Sequence, residues 1–229
     1  MKKKLIKQVI IKTLPVMAGY VVLGTGFGIL LRVNGYGLPY ALLMSILIYA
    51  GSLQYVGVSL IAGVAGFLTT ALTSLMVNAR HLFYGISMVD KYRGAGKKKA
   101  YLMFGLTDET YSLVCDGEFP EGENKYTYWL MISAFNQCYW VIGTVIGSLV
   151  GAVIKFNTAG IEFSMTALFV TVFVEQWIST KEHRPALVGL GASVLCLVIF
   201  GSANFLIPSM IMITALLFIM KKPLEKHGN

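Results

Sequence analysis

From Gly35 to Val89 the chain runs for 55 residues with Arg80 as its only formal charge. An α-helix crosses the hydrocarbon core of a bilayer with about 20 apolar residues, so this stretch is too long for one crossing. A water-soluble fold has no polar exterior to make from it. Three more regions have the same character. Thr13 to Leu31 is uncharged and closes on Arg32 and the turn-forming pair Asn34-Gly35, Tyr126 to Ile154 is wholly uncharged, and Ala186 to Met220 is uncharged for 35 residues. Ile161 to Ile178 is apolar with Glu162 and Glu175 near its ends. With 56% hydrophobic and 13% charged residues over 229 positions, the expected fold is all-α: a polytopic transmembrane helical bundle of about 6–8 membrane segments, forming one integral membrane domain over 1–229.

The formal net charge of +8 is not spread over a surface. Its lysines and arginines cluster in the N-terminal 1–12, the loop 90–99 and the tail 221–229, where they face anionic headgroups and mark the cytoplasmic side. No basic stripe is interleaved with a soluble fold, which excludes nucleic-acid binding. Cys115, Cys138 and Cys196 lie far apart without C-x-x-C spacing or a histidine pattern, so neither a disulfide framework, a metal site nor a cofactor motif is expected. The start, Met1 followed by Lys2, Lys3 and Lys4, resembles a signal peptide, but Thr13 to Leu31 is long enough to span and reads as a retained first helix with a cytoplasmic N-terminus.

Charge also poses a topological problem. Placing Tyr101 to Cys115 as one crossing puts the basic loop inside and the acidic loop of 116–125 outside. Two full helices between Gly35 and Val89, however, would put Lys97, Lys98 and Lys99 outside. Broken or re-entrant helices resolve this, and membranes tolerate them only where protein or a water-filled cavity satisfies the freed backbone. Gly51, Gly57, Gly63 and Gly66 are natural break points, as are Gly201 to Asn204 and Pro208 further on. A faint echo between Gln54 to Gly66 and Tyr139 to Gly151 is compatible with an internal repeat.

Polar residues inside apolar segments are the candidate site. Asn78-Ala79-Arg80-His81 through Tyr84 places Asn78 and His81 on one helical face and Arg80 with Tyr84 on another. An arginine at bilayer depth costs about 3 kcal/mol or more without a partner or water; Arg80 either snorkels to a nearby interface, Asp90 being ten residues on, or pairs with a carboxylate of Thr107-Asp108-Glu109. One carboxylate then serves as a structural ion pair or a coupling group, and the other meets a proton or a substrate ammonium. Tyr49, Gly51, Ser52 and Gln54 put small and polar groups mid-span, as do Asn136 and Gln137; interhelical hydrogen bonding and cavity lining both account for them. Gly143, Gly147 and Gly151 recur every four residues and read as a close-packing face, and Gly24, Gly26 and Gly28, flanked by aliphatic residues, read as packing positions rather than a phosphate loop. His183 and His227 read as solvated.

Taken together, Tyr49 to Gln54, Asn78 to Gly85 and Gly105 to Glu109 resemble the AzlC family of branched-chain amino acid exporters, most strongly over Ala18 to Tyr111. The resemblance implies secondary active efflux of leucine, isoleucine, valine and analogues across the bacterial inner membrane, a small AzlD-type partner, and a complex that can form homo-oligomers. It places Tyr49, Gly51, Ser52, Gln54, Asn78, Arg80, His81, Tyr84, Thr107, Asp108 and Glu109 at stake. A channel or carrier for another solute, a non-transporting assembly subunit, and an intramembrane enzyme using His81, Asp108 and Glu109 are the competing readings. The last lacks a paired-histidine metal motif or a nucleophile elbow.

Overall fold

The computed structural model describes residues 2–153, nine positions between 163 and 180, and residues 182–225. The chain forms two compact units, Met1–Met165 and Thr166–Asn229. Among the described residues all the regular secondary structure is helical, and three helices are long and apolar enough to cross a membrane: Lys3–Val33, Lys125–Val153 and Arg184–Gly201. Four shorter apolar helices accompany them.

In the first unit, α1 (Lys2–Val33) and α8 (Lys125–Val153) form the spine. They run parallel. The Thr13 hydroxyl lies 3.1 Å from that of Tyr139, the Thr25 hydroxyl donates to the Gly143 carbonyl, and the Arg32 side chain reaches Gly151. One end of the spine buries Leu5 and Val9 with Met88, Tyr92 and Trp129; the other buries Phe27 and Leu31 with Ala41, Met44 and Tyr55.

Alongside the two spine helices, which touch each other directly, the chain enters from both ends. From the far end, α2 (Leu38–Leu43) passes into a π-helical turn, Met44–Ile48, and α3 (Gly51–Ala62) returns. That it returns is shown by contacts that a continuous helix could not make: Gln54 Nε2 donates to the Met44 carbonyl at 2.7 Å, and the Tyr55 hydroxyl donates to the Leu23 carbonyl. From the near end, α6 (Lys98–Phe104) rises and α7 (Asp108–Val114) descends. Lys98 bonds Thr127, Gly105 sits against Ser133, Thr110 accepts from Asn136, and the Glu118 carbonyl accepts from Trp129, so the contacts climb α8 and come back down it. Each hairpin arm is too short to span: the 12 residues of α3 cover about 18 Å of a hydrocarbon core about 30 Å thick. Between the hairpins, α4 (Phe67–Val77) and α5 (Ala79–Met88) carry the chain from the far end to the near end, with a break at Asn78.

This arrangement answers the parity problem and corrects two expectations. Tyr101 to Cys115 is a hairpin rather than a crossing, because Gly105 and the Thr107 N-cap stop α6 and restart α7 in the reverse direction. The acidic loop therefore returns to the end that carries the N-terminal lysines and the basic loop; Lys12 lines one crevice with Glu118 and Phe119. Loop charge misled here because acidic residues contribute little to orientation. A cysteine placed at Lys4 and one placed at Glu118, each in a background lacking the native cysteines, are expected to react with an impermeant maleimide from the same side of sealed vesicles. Labelling from opposite sides would refute the hairpin.

The freed backbone groups find partners within the protein, as a bilayer requires. Gln54 uses one end of its amide on the Met44 carbonyl and accepts from Trp140 Nε1 at 2.6 Å with the other. Gln137 donates to the Ile46 carbonyl. The break itself is sharp: Tyr49 has φ 38° and Ala50 is extended, a left-handed conformation that costs a non-glycine residue about 1–3 kcal/mol. Gly57, expected as a break point, lies inside α3, whereas Gly63 and Gly66 do bracket a turn. The echo between Gln54 to Gly66 and Tyr139 to Gly151 is not a conformational repeat, since the first ends its helix at Gly63 and the second continues to Val153.

In the second unit, α9 (Arg184–Asn204) and α10 (Leu206–Glu225) are apolar, with a non-helical Gly201 at φ 71° where the sequence marked a break. His183 is half-buried and stacked on Trp177 at 4.1 Å, not free in solvent as its polar surroundings implied. Most of Ile161 to Ile178, including Glu162 and Glu175, and the tail residues Lys226 and His227 lie outside the described residues.

Candidate functional site

The three motifs singled out by their polarity each fall at a helix break. Tyr49 to Ser52 is the tip of the far hairpin, Gly105 to Glu109 the tip of the near one, and Asn78 to His81 the break in the crossing between them. Arg80 ties them together. Its Nη1 lies 2.6 Å from Asp108 Oδ2 and its Nη2 donates to Ser52 Oγ at 2.6 Å, so one guanidinium holds both tips. The pair remains 27% and 21% exposed, which leaves it within reach of a solute.

Asp108 and Glu109 begin α7 and complement its positive end, but neighbouring helical positions point about 100° apart. Asp108 faces α5, where Tyr84 stands beside it. Tyr84 in turn stacks on Tyr111 with ring centroids 4.5 Å apart. Glu109 faces α1, where the Tyr20 hydroxyl donates to its Oε2 at 2.6 Å. That hydroxyl also lies 2.6 Å from Thr107 Oγ1, and Thr107 bonds Thr110, which accepts from Asn136 Nδ2 at 3.0 Å. A continuous chain of polar side chains thus runs from Asn136 on α8 to Glu109.

Several buried atoms around these tips have no hydrogen-bond partner: the Tyr49 hydroxyl, Asn78 Oδ1, Arg80 Nε, His81 Nδ1, Asp108 Oδ1 and Asn136 Oδ1. Buried polar groups are ordinarily satisfied, and the gathering of six exceptions around these tips marks them as the candidate site. Other sequence-predicted residues play a different part. Gln54 and Gln137 hold backbone carbonyls, and Gln137 also accepts from the Tyr101 hydroxyl. Gly51 makes room for the Trp140 ring, 2.9 Å from where a β-carbon would sit, and Gly143 and Gly147 face the α1 backbone. No three His, Cys, Asp or Glu side chains among the described residues approach closely enough to hold a metal ion.

The chain matches the AzlC protein family over residues 15–154, a stretch that contains every one of these breaks. It belongs to the AzlC family. A relative from Bacillus subtilis named branched-chain amino acid transport protein AzlC is 45% identical over 214 residues, 93% of this chain and 84% of the relative. An uncharacterized membrane protein of Haemophilus influenzae is 40% identical over 93% of this chain and 88% of its own length. The inner membrane protein YgaZ of Escherichia coli is 26% identical over 76% of this chain and 73% of its own. No solved structure matches. For this AzlC chain the residue missed at the level of sequence is Tyr20, whose hydroxyl is buried in an apolar helix. A tyrosine mid-span needs a partner for its hydroxyl, and that need was the available signal.

Proposed function

We propose that this AzlC-family chain is the large subunit of a secondary active exporter of branched-chain amino acids, working as a single transport domain in the bacterial cytoplasmic membrane with a small AzlD-type subunit. The observation that carries this reading is the meeting of three helix breaks at one partly accessible ion pair surrounded by unsatisfied polar atoms, in a chain 45% identical to a named branched-chain amino acid transport protein. Discontinuous helices meeting mid-protein are how secondary transporters build sites for charged small solutes. The N-terminal lysines and the basic loop share one end of the spine, and the positive-inside rule assigns that end to the cytoplasm. Between α3 and α4, a cavity of about 310 Å³ lined by Met44, Leu53, Gly57 and Leu60, with Thr70 and Ser74, offers the apolar wall that an aliphatic side chain requires.

The test is leucine efflux from preloaded proteoliposomes containing the chain with and without its small partner. Efflux is expected with the partner present, and Asp108→Asn is expected to abolish it while the complex still purifies intact. No efflux of leucine, isoleucine or valine under either condition would sink the reading, and loss of the complex in the variant would favour an assembly role. Collapse of the proton gradient by an uncoupler is expected to stop uphill efflux; persistence would remove proton coupling alone.

A further inference from the structure

Asp108 and Glu109 are not equivalent. Asp108 is neutralised by Arg80 at 2.6 Å. Glu109 forms no ion pair among the described residues, and its side-chain partner is the neutral hydroxyl of Tyr20. Arg80 and His81 lie within electrostatic reach of Glu109, but neither contacts it, and a buried carboxylate whose contact partner is neutral is a situation that proteins resolve by pairing or by a ligand.

Two further acceptors are open on the same polar chain. Tyr49 is 4% exposed, and its hydroxyl stands next to those of Tyr20 and Thr110 without a close, well-aligned hydrogen bond to either. Asn136 is fully buried; its amide nitrogen is committed to Thr110 while Oδ1 has no partner. The surroundings are aromatic: Tyr20 meets Trp140 edge to face at 5.4 Å, and Tyr49 lies against Phe104 at 6.2 Å. A carboxylate, a phenol and an amide oxygen within an aromatic shell lack one thing, a compact cation with several N–H donors. A primary ammonium brings one positive charge and three donors, and π faces add to its attraction.

We propose that Glu109, Tyr49 and Asn136 receive the α-ammonium group of the substrate, and that Tyr20 is a positioning residue that holds Glu109 through its hydroxyl. This rests on the transport reading above, and it assigns Arg80 and Asp108 a separate task, tying the two hairpin tips together.

Isothermal titration of the purified two-subunit complex tests it with three probes: leucine, 3-methylbutylamine (the ammonium without the carboxylate) and 4-methylpentanoate (the carboxylate without the ammonium). Glu109→Gln is expected to weaken leucine and 3-methylbutylamine by about tenfold or more, the loss of one charge-assisted contact, and to leave 4-methylpentanoate unchanged. Tyr20→Phe is expected to give a smaller loss with the same selectivity. Retained 4-methylpentanoate binding shows that the variants are folded. Leucine affinity undiminished in Glu109→Gln, or leucine and 4-methylpentanoate weakened by the same factor, would overturn the assignment. Wild-type complex that binds none of the three would instead overturn the transport reading on which it rests.

Discussion

Gly147→Leu is expected to cost the helical spine about 3 kcal/mol or more, the upper range for overpacking, and to abolish transport with it. A β-carbon at Gly147 would fall on the Thr25 carbonyl and 2.8 Å from the Thr25 Cα, and one at Gly143 would stand 2.7 Å from the Val21 carbonyl. On the facing helix, a β-carbon at Gly28 would stand 2.6 Å from the Ser148 nitrogen. These neighbours are backbone, so no rotamer change relieves the clash and the helices must separate.

Separation reaches the site because α1 carries Tyr20. Its hydroxyl is 2.6 Å from both Thr107 and Glu109, and a shift of about 1 Å takes such a contact outside hydrogen-bonding range. Two controls isolate the cause. Gly19 has open space where a β-carbon would sit, and Gly151 meets only the flexible Arg32 side chain and an Ile29 Cα at 3.3 Å. Gly19→Ala should be neutral or stabilising by up to about 1 kcal/mol, the difference in helix propensity, and Gly151→Ala should be mild. Thermal unfolding of the purified complex reads all three, and a Gly147→Leu protein that melts like Gly19→Ala would refute the close-contact account.

The same glycines show what was legible beforehand. Small residues every four positions announce a close helix face whatever the partner, yet nothing in their spacing names α1 or requires a parallel neighbour. Arg80, Asp108 and Glu109 were legible because charge in an apolar run needs a reason, and each lies at a helix break. The break at Tyr49 was not. Glycines were the natural candidates, but the left-handed turn falls on a tyrosine, and the surrounding protein holds the Met44 and Ile46 carbonyls that precede it. Nor was the direction of Tyr101 to Cys115 readable: its length suits a short crossing, and only the contacts of Gly105, Thr110 and Glu118 with α8 show that it turns back. Tyr20 was hidden for a different reason. In an apolar helix a tyrosine passes for packing until the partner of its hydroxyl is known.

Arg80→Ala is expected to destabilise the complex by about 3 kcal/mol, the low end for breaking a buried pair because this one retains some exposure, and to eliminate efflux. The loss is more than one contact. Removing the guanidinium leaves Asp108 as a lone carboxylate and releases Ser52, so each hairpin tip loses its attachment to α5. Asp108→Ala should cost a similar amount by stranding the arginine. If the pair is what matters, Arg80→Ala combined with Asp108→Ala should be less damaging than the sum of the two, with a coupling of about 2 kcal/mol in the unfolding of the purified complex. Strict additivity would mean that the two groups do not act on each other. Arg80→Lys separates charge from shape. An ammonium neutralises Asp108 but lacks the planar fork that serves Asp108 and Ser52 together, so stability should largely return while efflux stays low. Full recovery of efflux by lysine would show that only the charge is needed and that the fork across the two hairpin tips has no part in transport.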